Sequence, residues 1–461
     1  MNFIKSSLLS GVCFAASFLA SAQENGGITY LKSGMIIDMA GDAPFQASIV
    51  ISDGHITSIG RNLPVPNGAR ILDVAGKYIL PGFIDMHAHV TFLPAGTLVR
   101  FDRVTSEEIL KRMLAYGITT VRNPAAPAVP GVKLRDDVAH GKILGPRILT
   151  AGEPLNGKPF STEAEIRTEV DRQAAAGVDY IKVYANCTPE ETAIAIDEAH
   201  KRGLKVVGHL QNTDWPTAAA EGIDAVTHGV SWSASALPPD KRAMYLAEQK
   251  RVGAMKARIF WLEAVNVNGP EIGEVIESLK RHHISDDPTL IAYKTKFIPT
   301  EEYRSKQNVS LAPLAVQESW SDGGFTGDWT PADFARMRKV WPKMLAIIDR
   351  YYREGVLLTT GSDLPNSWVV PGVSLHQEME LLSEAGIPNE AVLAMATRNA
   401  ATVLGLDREI GTIETGKRAD LVILDANPLT NIRNTRTIEY VLHNGRLLRS
   451  ASLLATERVK R

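Results

Sequence analysis

The segment Leu80–Val90, LPGFIDMHAHV, joins an apolar run, a Pro-Gly turn and two histidines one residue apart, His87 and His89. Side chains alternate along a β-strand, so the two histidines would share one face. Asp85 lies on the same face and could orient a metal-binding side chain without itself binding the metal. Taken alone, the pair has two interpretations: half of a metal site, or ordinary core histidines satisfied by backbone groups.

Eight segments with strand character follow one another through the middle of the chain, and helical patterns separate most of them. They cover residues 78–89, 117–123, 147–152, 179–186, 205–211, 224–230, 288–293 and 355–363. Alternating strands and helices predict an α/β fold with parallel strands, and eight units predict a (β/α)8 TIM-type barrel. An open doubly wound sheet is the alternative, but no Gly-rich phosphate loop follows the first strand.

Both ends of the chain differ from the middle: they contain short segments in which apolar and polar residues alternate, separated by turn signals, and this pattern is typical of β-strands. Residues 23–79 and 406–461 are each too short to form a good domain alone. We therefore expect them to build one small composite β-sandwich beside a barrel over residues 80–405.

Residues 1–22 have the pattern of a secretory signal peptide: Lys5, an apolar stretch over Leu8–Leu19, and the small residues Ala20-Ser21-Ala22. The apolar stretch is too short for a good membrane span. We expect cleavage near Ala22 and export to the periplasm or the outside of the cell; a buried N-terminal helix is the alternative. Only Cys187 would then remain, so no intrachain disulfide can form.

The overall composition is that of a soluble globular protein. Of its 461 residues, 44% are hydrophobic and 22% charged, and the formal net charge is -2. This balance provides no basic face, so nucleic-acid binding is not expected and a small-molecule substrate is favoured. A homo-oligomer stays open.

Residue types that bind metals recur where the predicted strands end, which is where barrel enzymes place their active sites. These residues are His87, His89, Lys182, His209, His228 and Asp363. They come from five separate strands, so a shared metal site explains them better than coincidence.

Lys182 is the least expected member, because it lies inside the apolar segment DYIKVYA. An isolated buried ammonium is costly, and burial favours the neutral amine. A neutral amine can react with carbon dioxide to form a carbamate, whose two oxygens could bridge two metal ions. The alternative is a lysine paired with a nearby carboxylate, which would favour a single-metal site.

The sequence resembles the amidohydrolase superfamily, in its imidazolonepropionase-like and prolidase-like branch of metal-dependent hydrolases. The resemblance lies in GHITSIG at 54–60, ILDVAGKYILPGFIDMHAHV at 71–90, and ATRNAATVLGLDREIGTIETGKRADLVILDANPL at 396–429. It implies a (β/α)8 barrel with a composite β-sandwich and a site for two divalent metal ions. Zinc suits such ligands, although manganese and other metals do too.

The resemblance also implies a role for each position. His87 and His89 would bind a buried metal, a carbamate on Lys182 would bridge the pair, and His209 and His228 would bind the more exposed metal. Asp363 would contact the buried metal and the bridging water, and would pass a proton to the leaving amine.

The implied activity is hydrolysis of a C–N amide or peptide-like bond, as in an N-acyl amino acid, a dipeptide or a related amide, by a metal-bridged hydroxide. One alternative uses the same site to cleave a lactone, a carbamate or a phosphotriester. A non-catalytic binding protein is a further alternative, against which the retention of all six ligand positions argues.

Substrate contacts are expected from residues near the strand ends. Tyr184 lies two residues after Lys182 and shares its strand face, and Gln211 has the same relation to His209. Two further candidate contacts are Tyr293, which ends the seventh predicted strand, and Trp368, which follows the eighth. Tyr184 has a packed core tyrosine as its alternative interpretation.

Residues 294–334 form a long segment that predicts either a mobile lid or a loop packed on the rim. Gly323, Gly324 and Gly327 would give it flexibility, and Trp320 and Trp329 would give it large contact surfaces.

Two departures limit the resemblance. Residues 151–162, AGEPLNGKPFST, lack the histidine that many prolidase-like relatives carry after the third strand. The second strand ends in VRN, where an acidic residue is frequent. The dipeptide specificity of those relatives is therefore not implied.

Overall fold

The computed structural model describes residues 27–92, 101–157, 162–320 and 326–455. The predicted signal peptide lies outside the described residues, so cleavage near Ala22 stays a prediction. Within the described ranges, no helix combines the length and the apolar character that a bilayer crossing requires.

Eight short parallel strands form the centre of the molecule. They are β6 (Phe83–Asp85), β7 (Ile118–Asn123), β8 (Arg147–Thr150), β9 (Tyr180–Val183), β10 (Lys205–Gly208), β11 (Ala225–Thr227), β12 (Ser285–Asp287) and β13 (Leu357–Leu358). They pair in chain order as a three-stranded sheet, β6-β7-β8, and a five-stranded sheet, β13-β12-β11-β10-β9. The predicted α/β class with parallel strands is confirmed.

Isolated parallel bridges join the two sheets at both seams. One seam has Ala151 opposite Tyr180 and Leu155 opposite Val183, and the other has Ala88 opposite Leu364. Continuous strand pairing does not cross either seam in the described residues. The closed barrel therefore stays a prediction.

Helices surround these strands. They are α1 (Arg103–Ala115), α2 (Ala128–Ala139), α3 (Glu163–Ala176), α4 (Pro189–Lys201), α5 (Trp215–Ala220), α6 (Pro239–Val252), α7 (Ala254–Ala264), α8 (Pro270–Arg281), α9 (Leu290–Phe297), α10 (Glu301–Arg304), α11 (Lys306–Val309), α12 (Leu314–Ser319), α13 (Pro331–Arg353), α14 (Val373–Glu384), α15 (Asn389–Ala394), α16 (Ala400–Leu404) and α17 (Ser450–Leu454). A π-helical turn over Met395–Asn399 joins α15 to α16, and a 3-10 helix spans Ile432–Arg436.

Local sequence explains where the longer helices begin. In α3 and α4, Thr162 and Thr188 accept a hydrogen bond from the backbone of Glu165 and Glu191, whose side chains bond back to the cap. This reciprocal pair satisfies two backbone N–H groups that a helix start leaves unbonded. Helix α3 then ends at Gly177, whose φ of 87° is easily adopted only by glycine.

A second, mixed sheet contains strands from both ends of the chain. Its members are β1 (Thr29–Ile36), β2 (Phe45–Ser52), β3 (His55–Gly60), β4 (Arg70–Asp73), β5 (Tyr78–Pro81), β14 (Leu421–Leu424), β15 (Ile438–His443) and β16 (Arg446–Arg449). The order is β16-β15-β14-β5-β1-β2-β3, with β4 paired to β1. Its apolar core is separate from the large one around the parallel strands. The predicted domain limits and the sandwich itself stay predictions.

The Pro-Gly turn of the opening segment is where the chain leaves the mixed sheet. Strand β5 ends at Pro81 in that sheet, and β6 begins at Phe83 among the parallel strands. A Cβ at Gly82 would lie 2.2 Å from the hydroxyl oxygen of Thr119, so only glycine permits this close approach.

The predicted seventh strand, 288–293, is wrong. The seventh strand is β12, Ser285–Asp287, and most of the predicted segment belongs to helix α9. The run Leu290–Tyr293 is fully apolar and buried, and such a run has the same sequence signature in a buried strand and in a buried helix. Tyr293 therefore lies on a helix and not at a strand end.

Candidate metal-binding active site

A cavity of about 480 Å³ opens at the C-terminal ends of the parallel strands. All six predicted metal ligands line it: His87, His89, Lys182, His209, His228 and Asp363. The fold thus brings together side chains that are up to 276 positions apart in the chain.

The first group in the cavity consists of His87, His89 and Asp363. One carboxylate oxygen of Asp363 lies 3.5 Å from the Nε2 atoms of both histidines. Three potential ligand atoms of this group lie within 4.8 Å of one another. Asp363 has a φ of 55°, and its backbone N–H donates to the carbonyl oxygen of His87 at 2.6 Å, which holds the turn against β6.

The second group consists of His209 and His228, which follow β10 and β11 directly. Their ring centroids are 4.2 Å apart, and the His228 ring is 4.9 Å from that of His87. Nδ1 of His228 lies 2.9 Å from the hydroxyl oxygen of Thr289, while Nε2 has no hydrogen-bond partner among the described residues. The two groups therefore adjoin through His87.

Lys182 projects from β9 into the same cavity. The residue is 1% exposed, and its Nζ has no hydrogen-bond partner within the part of the chain that the structure describes. Burial lowers its pKa to about 7, so the neutral amine is well populated at neutral pH. An ion pair with a carboxylate, the alternative interpretation of this lysine, is not observed among the described residues.

The protonation of the cavity suits a metal centre. Burial lowers the pKa of His87, His209 and His228 well below the ordinary value, so these imidazoles are neutral. Burial raises the pKa of Asp363, but His87 and His89 lower it more, and the group stays a carboxylate. Neutral imidazole and carboxylate are ligands for divalent transition metals, so the residues fit such ions.

Asp287 is a residue of the candidate site that the sequence analysis did not predict. Its Oδ2 lies 2.7 Å from Nδ1 of His87, and its Oδ1 accepts a hydrogen bond from the guanidinium of Arg122. Because Nδ1 of His87 is engaged in this way, Nε2 faces Asp363. Asp287 is the last residue of β12, whereas the predicted seventh strand began at residue 288, so Asp287 was not recognised as a strand-end residue.

Asp85 acts on the backbone and not on an imidazole ring. Its carboxylate accepts hydrogen bonds from the backbone N–H of His87 at 3.1 Å and from the backbone and hydroxyl of Ser362 at 3.0 Å and 2.7 Å. It thereby ties the end of β6 to the loop that carries Asp363.

Three of the four predicted substrate contacts line the cavity: Tyr184, Gln211 and Tyr293. The Tyr184 ring lies 4.4 Å from that of His209. Trp368 is not among the lining residues; its ring lies 5.5 Å from that of Trp320. An aromatic residue in a loop has no periodic signal for its direction, so the sequence could not tell these cases apart.

The predicted lid segment contains the short helices α10, α11 and α12. The indole N–H of Trp320 donates to the carbonyl oxygen of Pro365 at 3.1 Å, and Trp329 stacks on Phe297 at 5.2 Å. Both tryptophans therefore contact the rim. Gly323 and Gly324 lie outside the described residues, so mobile lid and packed loop both stay open.

Three polar residues of the cavity were also missed: Arg258, Lys296 and Asn366. Arg258 lies on α7 and Lys296 on α9, and the ammonium of Lys296 donates to the side-chain oxygen of Asn366 at 2.6 Å. Both cations lie within helices, away from the strand ends on which the prediction relied, and no motif marks them.

Comparison with known proteins places this geometry in a family. The model of the amidohydrolase family matches residues 78–448. An imidazolonepropionase from Caldanaerobacter subterraneus is 23% identical, over 83% of this chain and 84% of its own, and an enamidase from Eubacterium barkeri is 23% identical, over 84% and 82%. A crystal structure of a Xaa-Pro dipeptidase with bound methionine aligns with a TM-score of 0.67 at 20% identity, over 92% of this chain and 100% of that one.

The residues that match the family model include all six predicted metal ligands, from His87 to Asp363. The chain therefore belongs to the amidohydrolase family and is a hydrolase.

Proposed function

We propose that this enzyme hydrolyses a C–N amide or peptide-like bond, as in an N-acyl amino acid, a dipeptide or a related amide. The observation that carries the proposal is the convergence in one cavity of three buried neutral imidazoles, a carboxylate, and a lysine amine that has no hydrogen-bond partner among the described residues. The names of the similar proteins, which include an enamidase and a Xaa-Pro dipeptidase, support an amide or peptide bond as the target.

Two divalent metal ions, zinc in the first instance, complete the proposed site. His87, His89 and Asp363 would hold one ion, and His209 and His228 the other, with Lys182 between them. Bound metals supply a Lewis acid for the substrate carbonyl and lower the pKa of water toward neutrality.

Lys182 would bridge the metals as a carbamate. Its neutral amine attacks the carbon of carbon dioxide, an N–C bond forms, and one proton is released. Conversion of an orphaned amine to an anionic group with two oxygen donors removes the cost of an unsatisfied buried atom. Such a group would also provide a third protein ligand for the metal ion that His209 and His228 hold.

The chain's own residues account for substrate orientation and proton transfer. Asp363 is ionised in the cavity, so it can accept a proton from the attacking water and deliver it to the leaving nitrogen. Asp287 keeps the His87 ring in one orientation through the second ring nitrogen. Tyr184 and Gln211 face the same space and are placed to hydrogen-bond substrate oxygens.

A substrate panel tests this function. Purified protein is reconstituted with zinc or manganese and given N-acyl amino acids, dipeptides, lactones and phosphotriesters. We expect turnover on the amides, and an Asp363→Asn variant with the same thermal stability should lose it. Faster turnover of lactones or phosphotriesters than of any amide would overturn the proposal in favour of that ester chemistry.

Three further features belong to the proposal. We infer that the two parallel sheets form one (β/α)8 barrel and that the mixed sheet belongs to a small composite β-sandwich. We also infer export after cleavage near Ala22, which N-terminal sequencing of protein from the native host would reveal. A mature chain that still begins at Met1 would contradict export by this signal.

A further inference from the structure

Arg258 is a buried cation without an acidic partner among the residues that the structure describes. The residue is 3% exposed and lines the active-site cavity. Its guanidinium lies 4.8 Å from the Trp232 ring centroid and 5.3 Å from that of Tyr293. One of its N–H groups contacts the Met255 sulfur at 3.3 Å, which is a weak acceptor.

This arrangement leaves the strongest interaction of a guanidinium unused. Buried arginines are almost always paired, because the charge has lost its hydration. The two aromatic faces compensate part of that loss, but they do not use the planar fork of donors that matches a carboxylate. A buried fork at a cavity wall is thus preorganised for an anion.

Lys296 adds a second cation to the same wall. It lines the cavity and donates to Asn366 at 2.6 Å. Burial lowers its pKa to about 8; the carboxylate of Asp363 partly opposes this shift, and the positive charge of Arg258 adds to it. A carboxylate bound at this wall would interact favourably with both cations.

The rings on this wall connect the cation to the predicted metal site. The Tyr293 ring, which touches Arg258, has its centroid 6.2 Å from that of His228. The Tyr293 ring therefore adjoins both the guanidinium and a predicted metal ligand, and all three side chains line the same cavity. Met255 and Ala292 make this part of the wall apolar.

We propose that Arg258, with Lys296 beside it, binds a carboxylate of the substrate a few bonds from the scissile bond. The inference rests on the proposed amide hydrolysis and names its substrate class: an N-acyl amino acid or peptide with a free carboxylate and an apolar side chain. Arg258 is then the residue that sets the preference for acidic over neutral amides.

The test compares N-acetyl-leucine with N-acetyl-leucinamide, which share the acetyl amide bond and differ in the carboxylate. We expect the metal-loaded enzyme to prefer the acid. An Arg258→Met variant should lower kcat/KM for the acid by about 10- to 100-fold, mainly through KM, and leave the neutral amide unchanged. Arg251→Met, at an exposed position on α6 paired with Glu248, is the matched control and should change neither.

The stability of the variants distinguishes a ligand role from a structural one. Methionine fills a similar space and removes an unpaired buried charge, so Arg258→Met should be as stable as the wild-type protein or more stable. Loss of activity on both amides together with a large fall in Tm would mean that Arg258 is structural, and would overturn the proposal.

A binding measurement separates this inference from the proposed function. Calorimetry with 4-methylpentanoate on the metal-loaded enzyme should show binding that weakens about 10-fold or more in Arg258→Met, whereas 4-methylpentanol should bind equally to both. This result would stand even if no amide is cleaved, which would refute only the proposed function. Carboxylate binding that is equal in the two proteins, or equal cleavage of acid and amide by the wild type, would overturn the role of Arg258.

Discussion

Replacement of Asp287 by asparagine is the sharpest test of how the metal ligands are held. The two carboxylate oxygens of Asp287 serve two different donors, Nδ1 of His87 at 2.7 Å and the guanidinium of Arg122. The asparagine amide provides one oxygen acceptor and one NH2 donor. Its NH2 group would therefore lie against an N–H donor of either His87 or Arg122, and that hydrogen bond would be lost. Asp287 and Arg122 are each 1% exposed, and water cannot replace the lost partner.

The magnitude follows from this burial. Removal of one member of a buried ion pair costs about 3 to 5 kcal/mol, because the remaining charge is uncompensated. Loss of the second partner of a metal-binding histidine weakens metal affinity by about 10- to 100-fold. We therefore expect the free energy of unfolding of metal-free Asp287→Asn to fall by about 3 kcal/mol, and its zinc affinity to fall in the same step.

The assay is urea-induced unfolding of metal-free protein, combined with competition for zinc against a chromophoric chelator. Asp286→Asn is the matched control: Asp286 is equally buried in β12, burial raises its pKa, and its Oδ1 accepts a hydrogen bond from the backbone N–H of Gly229, which an amide oxygen can also accept. Addition of Arg122→Met to Asp287→Asn should recover zinc affinity, since the amide oxygen is then free for His87. Unchanged stability and zinc affinity in Asp287→Asn would refute this account of the ligand support.

Three other predictions concern the metal site itself. His209→Asn should abolish turnover while leaving the far-UV spectrum and Tm of the metal-free protein unchanged; retained activity would contradict its role as a ligand. Lys182→Met should lose activity and one of the two metals, and acetate should restore part of both, whereas full activity without rescue would exclude a carbamate bridge. Because the pKa of Lys182 is about 7, its amine is protonated and unreactive below that pH and neutral above it. Incorporation of ¹³C-labelled carbon dioxide into metal-free protein, followed by NMR, should therefore increase as the pH rises through 7, and a pH-independent signal would contradict this assignment.

Much of the site was predictable because its residues interrupt apolar strands. The HxH pair His87 and His89 and the lysine Lys182 stand out against the buried hydrophobic residues around them. A polar side chain in such a place needs a reason, and the ends of parallel strands meet at one edge. These local signals sufficed to bring six separated residues into one predicted site.

The missed residues lack such a signal. Asp287 lies in a three-residue strand of polar residues, and the apolar run that follows it competes for the same strand. Arg258 belongs to a helix, where one arginine among many gives no indication that it is buried at a cavity. Both residues gain their roles from tertiary contacts with distant segments, and a single sequence does not contain those distances.

Trp368 is not among the residues that line the cavity, so its substrate contact stays a prediction. Its place soon after Asp363 suggested the cavity mouth, but its ring lies against Trp320 and beneath the guanidinium of Arg304. Proximity in sequence to a ligand determines where the backbone is and leaves the direction of a loop side chain undetermined.

The central claim is that this cavity holds two metal ions. The most direct measurement is metal content by inductively coupled plasma mass spectrometry, after reconstitution with zinc in bicarbonate buffer and removal of free metal. We expect about two zinc ions per chain in the wild-type protein, and loss of the second ion in Lys182→Met. One ion or fewer in the wild-type protein would contradict it.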